Sequence, residues 1–276
     1  MDLSKLAYSK REPVLDLKEP IQPGSMQKSS EDIVPFEIAV SSAYQKLEGE
    51  LSSSLVFVLS GGEKRERDFL RELIRGGALH SLRVAFISKD GQGLQPYQMQ
   101  KKWEEIQPAG MFTIKSQVFH LDEFDKVFLV TDVDQFYDQL VQIFNKCLDV
   151  NQGQWIVSNP CFEIWLYYCF LNNPEQDLNA LESEDVAQRS KKLKALGNDL
   201  VPGGFNPCRA FERMAVGIEH GRAHYNVDMN GIPILCATQM CEMAAFLVDT
   251  MNKRANEYAE YVKKKEAFRN MMRERI

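Results

Sequence analysis

Apolar runs alternate with amphipathic stretches between residues 54 and 171 of the chain. Short runs rich in Val, Ile and Phe predict buried strands, at residues 54–60, 82–88, 126–132 and 154–160. Each run is followed by a segment with apolar residues at helical spacing, at residues 63–75, 95–107, 135–148 and 161–171. Four strand–helix units in succession predict an α/β fold, in which a parallel sheet is flanked by helices on both faces.

The flanks of this region have different patterns. Residues 1–30 contain several prolines and no periodicity, which predicts an extended arm that contacts a partner or a second copy of the chain. A helix is predicted after Pro35, with one apolar face made of Phe36, Val40, Ala43, Tyr44 and Leu47. Beyond residue 171 we expect helices only. The predicted organisation is therefore an N-terminal arm and helix (1–50), an α/β domain (51–171) and a C-terminal helical region (172–276).

Composition limits the class of protein. The 276 residues are 44% hydrophobic and 26% charged, as in ordinary globular proteins, and no apolar run approaches the roughly 20 residues of a membrane helix. The first 20 residues lack the apolar core of a secretory signal. Six cysteines without a CxxC pair predict reduced thiols and a cytoplasmic location. A net charge of −6 argues against a protein that coats nucleic acid indiscriminately, but it allows a local basic groove.

Two aspartates follow the third predicted strand, in "KVFLVTDVDQF" (residues 126–136). If the extended geometry continues, Asp132 and Asp134 point to the same side of the chain. Two carboxylates so close repel each other, and a divalent cation or a set of hydrogen-bond donors would relieve that repulsion. The alternative is that Asp134 caps the helix that follows.

Acids also follow the first and fourth strands, in "SGGEKRE" and "SNPCFE". Because ligands of parallel sheets gather at the carboxyl ends of the strands, Asp132, Asp134, Glu163 and one acid after Gly62 could converge on Mg²⁺ or Mn²⁺. The alternative for Glu63, Glu66 and Glu163 is that they complement the positive ends of helices. The chain lacks the spacing of a phosphate loop, the HExxH order of a zinc site and a Ser–His–Asp arrangement.

Basic residues concentrate in "RSKKLK" (189–194) and in residues 252–275. The candidate nucleic-acid contacts there are Lys191, Lys192, Lys263 and Lys264. Tyr258, Tyr261 and Phe268 could stack on bases beside them. The alternative is a solvated helix face with ion pairs between successive turns.

Three blocks of the chain resemble the RloB family of bacterial Toprim-type proteins. They are "VFVLSGGEKRERDFL", "VFLVTDVDQF" and "WIVSNPCFEIWLYYCF", of which the third is the most specific. Their order and spacing match the family over residues 54–170. The first-strand glutamate of the family falls on Gly61, its next two glutamates on Glu63 and Glu66, and the histidine of its last block on Cys169.

The resemblance implies a Toprim-like fold and Mg²⁺-dependent phosphodiester chemistry in phage defence or restriction, often beside an RloA-type ATPase. It places metal on Asp132, Asp134 and Glu163. Glu63 would act as a ligand or general base, and Lys64 would face the phosphate. Gly61 lacks the side chain of the family's first glutamate, so two functions stand open. One is a metal-dependent nuclease acting on DNA or RNA, and the other is a catalytically degenerate module that binds a partner ATPase. A homo-oligomer is a further expectation.

Overall fold

The structure is a computed structural model, and it describes residues 33–37, 54–62, 64–75, 82–89, 93–114, 117–121, 125–144 and 153–273. Its strands are β1 (Ile33–Glu37), β2 (Ser54–Ser60), β3 (Leu82–Lys89), β4 (Met111–Ile114), β5 (Gln117–His120), β6 (Lys126–Asp132) and β7 (Gly153–Ser158). Its α-helices are α1 (Arg65–Arg75), α2 (Pro96–Ala109), α3 (Tyr137–Phe144), α4 (Glu163–Phe170), α5 (Pro174–Asp177), α6 (Val186–Leu200), α7 (Pro207–Phe211), α8 (Met214–Ala223) and α9 (Met240–Arg273). Short 3₁₀ helices span Asp134–Phe136 and Asn179–Leu181.

The main sheet contains the four strands that the sequence predicts. Its strand order is β1-β3-β2-β6-β7, and β3, β2, β6 and β7 pair in parallel. The prediction of an α/β fold with a parallel sheet is therefore confirmed.

The edge strand β1 is a correction to the sequence analysis. It pairs antiparallel with β3, with Phe36 opposite Phe86. The prediction of a helix that begins at Phe36 is therefore wrong for that residue, which lies in a strand. An edge strand tolerates Pro35, because the missing N–H can face away from the sheet. The other residues of that predicted helix, Val40 to Leu47, and the predicted arm of residues 1–30 lie outside the described residues.

The two central strands are buried on both faces of the sheet. One face packs against α1, α4, α6 and α9, and the other packs against α2. Alternate residues of β2 and β6 divide between these cores: Val56, Val58, Phe128 and Val130 face the first, and Phe57, Leu59, Val127 and Leu129 face the second. Burial on both faces explains why these strands appear in the sequence as unbroken apolar runs.

The region after β7 is helical, as predicted. Between residues 172 and 273 the structure has helices α5 to α9, and its only β pairing is in isolated bridges. Residues of α6 to α9 share one hydrophobic core with α4 and the sheet. Helices α4 and α8 approach closely at Gly217, where a Cβ would lie 2.7 Å from the Cys169 Sγ. Cys169, at the position of the family's histidine, is thus a buried packing residue. The divisions at residues 50 and 171 stay predictions.

Segment Met111–His120, for which the sequence analysis predicts no element, forms a separate antiparallel pair of strands. Met111 of β4 lies opposite His120 of β5. Among the described cysteines, Cys161, Cys169, Cys208, Cys236 and Cys241 are free thiols, and Cys147 lies outside the described residues. Within the described ranges, no helix is long and apolar enough to cross a membrane.

Candidate functional site

Three carboxyl groups meet at the carboxyl ends of neighbouring strands. Asp132 is the last residue of β6, Glu66 lies in the first turn of α1 after β2, and Glu163 begins α4 after β7. Strand β6 pairs with both β2 and β7, and this pairing brings the three chain segments together. Glu66 and Glu163 are buried, with 7% and 3% of their surface exposed, and Asp132 is partly buried. The structure brings together Asp132, Glu163 and one acid after Gly62, which is Glu66, and a metal ion on them stays a prediction.

The pKa values of Glu66 and Asp132 reflect burial and repulsion from neighbouring carboxylates. Burial raises the pKa of Glu66 to about 7, and the Glu163 carboxylate adds to the rise. Burial also raises the pKa of Asp132 well above its usual range, with further contributions from Glu66 and Glu163. A hydrogen bond from the Phe162 backbone N–H opposes this rise by stabilising the Asp132 carboxylate. The fold thus holds the three carboxyl groups closer together than their charges favour.

Two cations lie on Glu163. The Arg65 Nε is 3.1 Å and the Lys194 Nζ is 3.7 Å from the Glu163 Oε1. The side chain of Glu163 is 4% exposed, whereas those of Arg65 and Lys194 are 42% and 48% exposed. Both cations therefore contact the buried carboxylate and are also accessible to solvent. Burial lowers the pKa of Lys194, but the surrounding acids, led by Glu163, outweigh it and leave that pKa raised.

Asp134 does not share a face with Asp132 by continued strand geometry. The strand ends at Asp132, and Val133 has helical angles (φ −69°, ψ −56°). The Asp134 carboxylate instead accepts a hydrogen bond of 3.1 Å from the Ser190 hydroxyl on α6. The alternative reading of Asp134 as a helix cap is also wrong, because Val133 is the cap residue of the 3₁₀ helix. A metal-binding role for Asp134 stays a prediction.

The loop before α4 is fixed by the C-terminal region. The Ser158 and Thr238 hydroxyls lie 2.7 Å apart, and the Asn159 side-chain amide donates to the Pro233 carbonyl. The Asp134 N–H donates to the carbonyl of Pro160, whose peptide bond with Asn159 is cis. These bonds satisfy the buried polar groups of the loop, and the loop in turn positions Glu163.

Two glycines of the turn after β2 differ in the space around them. A Cβ at Gly62 would overlap the carboxylate of Glu66, so the Glu66 side chain occupies the room that this glycine leaves. At Gly61 the nearest atoms to a Cβ are 3.4 Å away, which is ordinary contact, and its φ lies outside the left-handed region. The backbone therefore leaves room for a Cβ at position 61, where the resemblance expects a glutamate.

Comparison with known protein families bears on these residues. A family model described as "RloB-like protein" matches residues 56–214, which is more than half of the chain. The chain belongs to the RloB-like family. The match reaches beyond the resemblance over residues 54–170, and it includes helix α6 with Ser190 and Lys194. No curated protein and no solved structure matches this chain.

Among the other residues predicted for this RloB-like chain, those whose side chains the structure describes make no observed contact with the three acids. Glu63 lies outside the described residues, and Lys64, Lys191 and Lys263 are exposed. Lys192 pairs with Glu184 at 3.5 Å. The side chains of Lys264, Tyr258, Tyr261 and Phe268 also lie outside what the structure describes.

Sequence reasoning missed Arg65 and Lys194 and gave Glu66 no specific role. The available signal for Lys194 is its spacing of four residues from Ser190, which places both on one face of α6. Ser190 contacts Asp134 and Lys194 contacts Glu163, so a single helix face contacts both acidic segments.

The donor set fits a hard divalent cation in its chemistry. Mg²⁺ prefers carboxylate oxygens, and Glu66, Asp132 and Glu163 supply them in a place where their own charges repel. In the described ranges, no group of three Asp, Glu, His or Cys side chains already has metal-binding geometry. The ion pairs of Glu163 with Arg65 and Lys194 occupy one of the candidate ligands in this conformation.

Proposed function

We propose that this RloB-like chain is a Mg²⁺- or Mn²⁺-dependent nuclease with a Toprim-like fold, acting on DNA or RNA in a bacterial phage-defence or restriction system. The observation that carries the proposal is the convergence of Glu66, Asp132 and Glu163 at one edge of a parallel sheet. The defence role and the RloA-type ATPase partner rest on the family resemblance alone.

Glu66, Asp132 and Glu163 would hold the metal, with Glu63 and Asp134 as further candidates from the sequence. The bound ion would stabilise the charge that develops on a scissile phosphate and would lower the pKa of a water nucleophile. The chain's own groups orient the ligands: the Phe162 N–H, at the start of α4, donates to Asp132 and favours its ionised form.

Arg65 and Lys194 are the cations best placed to contact the phosphate. Their side chains are about half exposed while they contact the buried Glu163, so they can reach both the acids and a ligand in solvent. Arginine and lysine both donate to phosphate oxygens, and their positive charge would favour the negative charge of the transition state. This assignment adds to the sequence prediction, in which Lys64 alone faced the phosphate.

A degenerate module that binds a partner ATPase is the second candidate function. The observation in its favour is that Arg65 and Lys194 already neutralise Glu163 without a metal. Gly61, which replaces the family's first glutamate, favours the same interpretation.

A cleavage assay separates the two functions. The full chain is incubated with plasmid, single-stranded DNA and tRNA in Mg²⁺, Mn²⁺ or EDTA, with and without the ATPase where one is encoded nearby. We expect metal-dependent cleavage that falls at least about 100-fold in Asp132→Asn and about 10-fold or more in Lys194→Gln. Lys101→Gln, an exposed position on α2, is the control and should cleave as the wild type does. A folded wild type that cleaves none of these substrates under any condition would reject the nuclease and favour the ATPase-binding module.

A further inference from the structure

Two arginines lie on one aromatic ring at the C-terminal end of α4. The guanidinium carbons of Arg209 and Arg213 are 5.5 and 5.4 Å from the centroid of the Phe170 ring. The Arg209 Nη1 donates to the Pro202 carbonyl at 2.9 Å, and the Arg213 Nε donates to the Cys169 carbonyl at 2.6 Å. Both arginines are exposed, so the fold presents two oriented guanidinium groups to solvent.

Neither arginine is paired with a carboxylate among the residues that the structure describes, unlike Arg65 and Arg222. The face of the Phe170 ring attracts each guanidinium cation, but the two positive charges still lie side by side. Each guanidinium has five N–H donors and uses one of them in the backbone hydrogen bond described above. Free donors and unbalanced positive charge together fit an oxyanion.

The pair of arginines lies at the opposite end of α4 from the acidic site. Phe170 follows Glu163 by seven residues, so the two lie on the same side of α4, separated by about 10.5 Å along its axis. The loop between α6 and α7 connects the two places, because Arg65 donates to the Phe205 carbonyl and Arg209 donates to the Pro202 carbonyl. At about 3.4 Å per nucleotide along one strand, the separation corresponds to about three nucleotides.

We propose that Arg209 and Arg213, stacked on Phe170, form a phosphate-binding platform for the backbone of a nucleic-acid strand. The platform holds the strand about three nucleotides away from the phosphate that Arg65 and Lys194 contact. The choice of nucleic acid as the occupant rests on the proposed nuclease function. The presence of an oxyanion site rests on the arginine pair itself.

Binding without metal tests the platform separately from catalysis. Anisotropy of labelled single-stranded DNA and RNA is measured with the full chain in EDTA, between 50 and 200 mM salt, for wild type and for Arg209→Gln with Arg213→Gln. The double variant should bind at least about 10-fold more weakly. The slope of log affinity against log salt should fall by about 1.4, since each phosphate contact to a single strand contributes about 0.7.

Matched variants control for charge and for folding. Lys101→Gln with Lys102→Gln removes the same charge from α2, on the other face of the sheet, and should leave the salt slope unchanged. Arg209→Lys with Arg213→Lys keeps the charge and should restore most of the slope. If thermal unfolding shows that the double Gln variant is not folded, Arg209→Gln alone is used, with an expected fall in slope of about 0.7.

Each outcome decides the proposal. A wild type that binds no nucleic acid, or a folded Gln variant with the wild-type slope, overturns the platform. The same holds if the variant loses affinity for an acidic peptide such as poly-glutamate and not for nucleic acid. If the platform fails while the wild type still cleaves with Mg²⁺, the nuclease proposal stands. If the variant loses binding while the wild type cleaves nothing, the platform stands and the nuclease proposal fails.

Discussion

The two ends of helix α4 gather different charged groups: carboxyl groups at its N-terminal end and arginines at its C-terminal end. At its N-terminal end, the buried Glu163 lies with Glu66 and Asp132, and burial, together with the Glu163 carboxylate, raises the pKa of the other two. At its C-terminal end, Arg209 and Arg213 share the Phe170 ring. The helix dipole favours acids at the first end and cations at the second, but each such interaction contributes only about 0.3–1 kcal/mol at a surface. Under the two proposals made above, a divalent cation would bind at the first end and a phosphate at the second.

The largest expected effect comes from changing the N-terminal end. Glu163→Gln removes a buried negative charge at nearly constant shape and leaves Arg65 and Lys194 without their carboxylate. We expect metal-dependent cleavage to fall about 100- to 1,000-fold in an assay on the preferred substrate. Glu182→Gln, at an exposed position, is the matched control and should retain activity. Equal activity of the two variants would show that Glu163 is not part of the catalytic site.

Packing between α4 and α8 should show the next largest effect. Gly217→Val places side-chain atoms against Cys169 and Trp165, since a Cβ there would already lie 2.7 Å from the Cys169 Sγ. We expect a loss of about 3 kcal/mol in the free energy of unfolding, measured by urea denaturation. Gly221→Ala is the milder comparison, because its nearest neighbour would be 3.3 Å away. If Gly217→Val were as stable as wild type, then α4 and α8 could move apart with little loss in the free energy of unfolding.

The pKa of Glu66 predicts a pH-dependent change in stability. A carboxyl group whose pKa is raised to about 7 in the folded state binds protons more tightly when folded, so its ionisation destabilises the fold as pH rises from about 4.5 through 7. In EDTA, Glu66→Gln should therefore be more stable than wild type at pH 8 by about 1–3 kcal/mol, with little difference at pH 5. Denaturant titrations at both pH values measure this. A variant that is less stable than wild type at pH 8 would contradict the raised pKa of Glu66, which comes first from burial and then from repulsion by Glu163.

Restoring the family's first glutamate should have the smallest effect. The structure leaves room at Gly61, so Gly61→Glu should fold, as circular dichroism can verify, and should raise Mn²⁺ affinity about 3- to 10-fold by adding a carboxylate. Gly61→Gln adds a similar shape without the charge and should give a smaller gain. If both variants fold and neither binds Mn²⁺ more tightly, position 61 does not face the metal site.

The fold was largely predictable from the sequence, because strands buried on both faces are unbroken apolar runs and the helices between them keep their periodicity. Strand β1 was not, because Pro35 also fits a helix start and the pairing partner of β1 lies some 50 residues away in β3.

The site was predictable only in part. Asp132 and Glu163 follow strands, and the carboxyl ends of parallel strands share an edge. The Glu66 carboxylate lies in the site because Gly62 leaves space for it. The Lys194 side chain reaches Glu163 because of the way α6 packs beside α4. The reading of Asp134 failed because the chain turns at Val133. Tertiary packing and local backbone angles of this kind leave no clear signal in one sequence.

The most direct test of the account is a calorimetric titration of the metal-free full chain with Mn²⁺ at pH 8, for wild type and Asp132→Asn. The account predicts saturable binding to the wild type and at least about 10-fold weaker binding to the variant, because the Asp132 carboxyl group interacts with both Glu66 and Glu163. A wild type without saturable binding, or a variant that binds as tightly as wild type, would contradict a divalent-cation site at this end of α4.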